Sequence, residues 1–189
     1  MGYYSLVSSL PSLRIGDEPP FSTEAYVADC AQWVTERELL SLRKILLATP
    51  DIVPCALCQK LHDLETQLRN AVARYRAQKL GVDPSDYLHR HDGFSGTIET
   101  LVAEAFSKND PVELEQGLDR VRWKLTDELV PLDDPFGFER VLAYGIQLKI
   151  IERWNRMDHH LGKEKLEALI TKNTEEKDEA SESTESTDQ

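Results

Sequence analysis

Apolar residues along this chain recur at intervals of three and four, the spacing of one helix face, and scarcely anywhere alternate at two. The longest series is Leu57, Leu61, Leu64, Leu68, Ala71 and Tyr75. Pro54 suits a first helical position and Gly81 the residue just past the end. At ~1.5 Å per residue this rod is about 40 Å long, and a regular leucine seam of that length lies along another helix. Tyr3, Leu6, Val7 and Leu10 fit a short helix stopped by Pro11, and Pro11 to Pro20 reads as a loop. Ser22 caps the next helix, with Phe21 and Tyr26 placed as a hydrophobic staple. Thr35 and Glu38 form a capping box for a further helix that Thr49-Pro50 ends.

The second half follows the same pattern. Asp83-Pro84 starts a short turn, and Ile98, Leu101, Val102, Ala105 and Phe106 form a stripe. Asp110-Pro111 with Glu113 opens a helix using Leu114, Leu118, Val121, Leu125 and Leu129. Asp134-Pro135 opens the last long helix, which contains the greasiest run, Val141 to Ile151, and extends to Leu161-Gly162. A short amphipathic piece with Leu166, Leu169 and Ile170 follows. The expected fold is an all-α bundle of long antiparallel helices over residues 1–170. At a constant offset Pro54 pairs with Pro135, Leu57 with Phe138, Leu61 with Leu142 and Gly81 with Gly162. This suggests two repeated modules, 22–81 and 97–162, each two shorter helices and a long one. The alternative is that any two amphipathic helices align with a few matches.

Composition adds solubility and subtracts some functions. The chain is 40% hydrophobic and 30% charged, with net charge −12. From Thr171 onward the residues are mostly Glu, Asp, Ser and Thr, which predicts a disordered acidic tail over 171–189. An acidic body repels phosphate backbones, so nucleic acid is not an expected partner. No run approaches the ~20 apolar residues that cross a bilayer, and the start lacks a signal-peptide pattern. A cytoplasmic protein with reduced thiols is expected.

Candidate chemistry is sparse. Cys55 and Cys58, with His62 one turn on and Cys30 from an earlier helix, offer the donor types of a tetrahedral zinc site. The other reading is that cysteine packs as a small apolar residue. His89-Arg90-His91-Asp92 reads either as a weak metal site or as an exposed polar loop. Gly93-Phe94-Ser95-Gly96 lacks the lysine and spacing of a phosphate loop. No nucleophile, base and orienting acid assemble from spacing, so neither catalysis nor a cofactor is expected. Arg69, Arg74, Arg76 and Lys79 stand out on an acidic chain. They read as a docking stripe for an acidic partner or headgroups, or as basic side chains pairing with acids of a neighbouring helix.

Three stretches carry a family resemblance: Tyr3-Tyr4 through Pro11, Leu68-Arg69-Asn70 through Arg76-Ala77 to Leu80-Gly81, and Leu148 through Ile151-Glu152-Arg153-Trp154. Over most of residues 1–170 the chain resembles an uncharacterised bacterial family encoded among V/A-type ATP synthase genes. That family is similar to the coupling component of these ATPases designated C, or d in eukaryotes. The resemblance implies a non-catalytic, all-helical coupling element between the central stalk and the membrane rotor ring, peripheral to the membrane through the complex. With room for about two modules where the C component carries three, it implies a shortened element. The rival expectations are a free-standing helical adaptor or assembly factor, and a zinc-stabilised binding module.

Overall fold

The structure is a computed structural model that describes residues 3–49 and 55–157. Those residues form seven α-helices and no strand: α1 (Tyr4–Ser9), α2 (Thr23–Cys30), α3 (Glu36–Leu47), α4 (Ala56–Leu80), α5 (Gly96–Phe106), α6 (Pro111–Glu128) and α7 (Phe138–Met157). A single 3-10 turn, Ser85–Tyr87, lies between α4 and α5. Pro54, the Leu161-Gly162 end, the Leu166–Ile170 piece and the acidic tail lie outside the described residues.

The helix starts follow local chemistry. The Ser22 hydroxyl accepts the Ala25 N–H at 3.1 Å, and the Phe21 and Tyr26 rings stack with centroids 6.0 Å apart. The capping box of Thr35 and Glu38 is formed in both directions. Asp110 caps α6 with Pro111 at its first position. Gly81 ends α4 in the left-handed region at φ +69°, where a side chain would be strained. One boundary differs from the pattern. Asp134-Pro135 lies in a turn, and α7 begins at Phe138, because the Asp134 and Gly137 N–H groups donate to the carbonyls of Pro131 and Asp134, three residues back.

Two cores result. In the first, Leu6, Tyr26, Val27, Cys30, Leu42 and Leu46 close around Val141, Leu142, Tyr144 and Leu148 of α7. In the second, Leu68 and Ala71 of α4 pack with Ile98, Val102 and Ala105 of α5 and with Leu118, Val121 and Leu125 of α6. The grouping crosses the order of the sequence. The pair α2–α3 packs with α7, the pair α5–α6 packs with α4, and α6 with α7 joins the two units.

Charged side chains of α7 fasten the first unit. Lys149 donates to the Leu46 carbonyl at 2.7 Å, serving the C-terminal end of α3. Glu152 accepts the Thr23 N–H at 2.8 Å and its hydroxyl at 2.6 Å, serving the N-terminal end of α2. Each charge meets the helix end of opposite partial charge.

Candidate functional site

Helix α4 has a buried side against α5 and a side left open toward α6. Between the open side and α6 runs a groove of about 450 Å³. Its floor is Leu68, Val72, Ala77 and Leu118, and its far end is Leu80, Val82 and Tyr87. Leu80 is 75% exposed and Tyr87 65%, although both are large apolar side chains. Gly81 makes this end: with the chain turning left-handed there, Val82 folds back, donating its N–H to the Ala77 carbonyl at 3.1 Å.

The groove's walls are charged but internally balanced. Arg122 reaches from α6 to Glu65 on α4 at 3.2 Å and to Asp119 on its own helix at 2.8 Å. Burial works against the Arg122 charge, yet the two carboxylates more than offset it and hold its pKa above the ordinary value. Arg69 pairs with Glu65 one turn earlier at 3.2 Å, and Arg76 lies 3.7 Å from Glu115 of α6. Glu115 also meets Arg153 of α7 at 3.4 Å.

The four basic residues singled out by the sequence therefore do not form one stripe. Arg69 and Arg76 border the groove, and both stay well exposed while paired. Arg74 faces the other way and is bound to Glu99 of α5. Lys79 lies beside a separate hollow with Tyr75, Gln78, Ala103, Phe106 and Ser107. Helical spacing separates these directions: positions 69 and 76 are two turns apart on one side, whereas 74 and 79 point elsewhere. Pairing with acids of neighbouring helices accounts for Arg74 and Arg76.

The zinc donors are likewise not gathered. Among the described residues no three His, Cys, Asp or Glu side chains are grouped to hold a metal. Cys30 is fully buried in the first core, where burial pushes its thiol up to about 11, and Cys55 and Cys58 lie at the start of α4. The same holds for His89 to Asp92, a loop strapped to α4 by two side-chain amides. Asn70 exchanges two hydrogen bonds with the His89 backbone, at 2.7 and 2.9 Å, and Gln67 does the same with Ser95, both at 2.9 Å.

Sequence reasoning missed three features: the amide straps, the apolar end with Tyr87, and Asp119. This aspartate is 1% exposed and joins α6 to α7, accepting from Trp154 Nε1 at 2.8 Å and facing Arg153 at 3.4 Å. Its only signal in the sequence is Arg122 at i+3, since the α7 partners are more than thirty residues away. Residues near both ends of the described chain thus have inward work. Glu152, Arg153 and Trp154 fasten α7 to α2 and α6, and the Tyr3 hydroxyl donates to Glu38 at 2.6 Å.

No helix among the described residues is long and apolar enough to cross a membrane. No curated protein and no solved structure matches the chain. Residues 53–177 match the model of one family, so α4 through α7, with the groove and the Asp119 junction, lie within the matched stretch. The chain belongs to that family, described as Protein of unknown function (DUF2764).

Proposed function

We propose that this protein is a non-catalytic subunit or accessory factor of a V/A-type ATPase, standing where the C component stands between the central stalk and the rotor ring. The groove between α4 and α6 is its docking face in this reading. The observation that carries the reading is the exposed apolar end, Leu80, Val82 and Tyr87, continuing an apolar floor. Exposed large apolar side chains clustered beside a preformed groove match the anchor-and-pocket pattern of protein interfaces. Rim arginines whose charges are already paired add specificity at little cost in desolvation. The resemblance of the three sequence stretches supplies the place of work.

Co-purification tests it. The ATPase is extracted with detergent from the native host, and the ratio of this chain to the stalk proteins is measured by quantitative mass spectrometry. A permanent component stays stoichiometric, and a double variant Val72→Asp, Leu80→Asp lowers that ratio at least about tenfold. Loss of the wild-type chain during extraction, with binding only to incomplete complexes, identifies an assembly factor instead. Retention of the variant at the wild-type ratio removes the groove from the interface.

A further inference from the structure

Away from the groove, the start of α4 carries two thiols one helical turn apart. Cys55 is the N-cap residue, in extended backbone (φ −139°, ψ 113°), and its Sγ accepts the Cys58 N–H at 3.3 Å. Both side chains are half-buried, so they combine a fixed geometry with access from solvent. The Cys55 sulfur lies against both the backbone N–H and the thiol of Cys58, so the two sulfurs already face each other, and a bridge needs their Cβ atoms about 3.5–4.5 Å apart. Ser41 of α3 stands against both sulfurs and Lys44 adds positive charge beside Cys58.

The two thiols are inequivalent. Burial raises the Cys55 value, but hydrogen bonds from Cys58, Leu57 and Ser41 outweigh it and hold Cys55 below the ordinary thiol range. Burial, then the neighbouring Cys55 sulfur, pushes Cys58 up to about 11. One sulfur is thus prepared to attack, and the other stays protonated until the second step. Cys30, by contrast, is enclosed in the first core beside Tyr26.

We propose that Cys55 and Cys58 form a reversible dithiol–disulfide site that exchanges with small-molecule disulfides of the glutathione class. The Cys55 thiolate attacks one sulfur of oxidised glutathione, forming a mixed disulfide and expelling one glutathione thiolate. Cys58 then gives its proton to solvent and its thiolate attacks the Cys55 sulfur, which releases the second glutathione. Two protein thiols lose two electrons and two protons, and the reagent carries the electrons away as two glutathione thiols. The product bridges the cap of α4 to its first turn, beside Leu57 and Leu61, which pack on the first core.

The test uses the full chain, fully reduced, then equilibrated in a series of oxidised and reduced glutathione mixtures and quenched with acid. Intact mass and peptide mapping should show the loss of two hydrogens, located between Cys55 and Cys58, with Cys30 remaining a free thiol. Cys58→Ser should accumulate one glutathione on Cys55, and Cys55→Ser should form its first adduct at least about tenfold more slowly than Cys58→Ser. Three free thiols in the wild-type chain across the whole series overturn the proposal. So does a bridge that includes Cys30, or equal adduct rates at the two positions. The wild-type map decides the bridge even if a variant folds poorly.

Discussion

α4 and α7 are both long helices that follow a pair of shorter ones, yet they are buried in opposite ways. From Val141 to Ile151, every residue of α7 except Ile146 and Lys149 is buried. Along the 25 residues of α4 only Thr66, Gln67, Leu68, Asn70, Ala71 and Ala77 are. α7 is wrapped by α2 and α3 on one side and by α6 on the other. α4 is covered by α5, strapped by the 89–95 loop, and open beside the groove. A helix apolar all round is an interior element, whereas a seamed helix keeps a free side. The difference separates what holds the fold from what stays open to solvent.

The comparison breaks most visibly under a buried charge. Leu148→Asp, at a position with no exposure, is expected to cost roughly 3–5 kcal/mol in urea unfolding. Leu80→Asp on the open side of α4 is expected to stay within about 0.5 kcal/mol of wild type. Equal losses at the two positions would contradict the division. Next comes the junction of the two units: Asp119→Ala leaves Arg122 and Arg153 facing an empty site and should cost about 3 kcal/mol by the same assay.

A smaller effect probes how closely the second core is built. A Cβ at Gly117 would sit 2.8 Å from the Ala105 Cβ, so α5 and α6 approach each other through small residues. Gly117→Ala should lower stability by about 1–3 kcal/mol despite its better helix propensity. Adding Ala105→Gly should restore part of the loss, which a double-mutant cycle measures as coupling. The least effect belongs to the edge of the first unit. Burial raises the Glu38 value, but hydrogen bonds from Thr35 and Tyr3 outweigh it, so the folded value lies below the unfolded one. Its contribution is therefore complete above the unfolded value, ~4.3, and fades as pH falls through the folded value. Tyr3→Phe should cost about 1 kcal/mol at neutral pH, and its difference from wild type should narrow on acidification.

Helix class and most boundaries were legible because they rest on local chemistry: the Ser22 cap, the Thr35–Glu38 box, Asp110-Pro111 and Gly81 each act within a few residues. The middle of α7 stood out as the greasiest run of the chain, Val141 to Ile151, although its place between the two units did not. Partnerships across the chain were not. Nothing near Arg74 reveals Glu99, nothing near Asp119 reveals Trp154, and a glutamine beside a leucine seam looks like surface until a loop 28 residues away closes on it. The groove was missed for the same reason, since Val82 and Tyr87 join α4 only after the chain turns at Gly81.

The crossed packing of the two sequence halves also sets an order of assembly. Once Glu128 has been made, every helix of the second core exists and can condense from neighbours in the chain. Tyr26, Leu42 and Leu46 have by then been synthesised for some eighty residues or more without the helix that shields them, because Val141 to Leu148 follow α6 in the chain. During synthesis the N-terminal third is therefore the greasy, unshielded portion, and the stretch where a holding chaperone or a complex partner has most to protect.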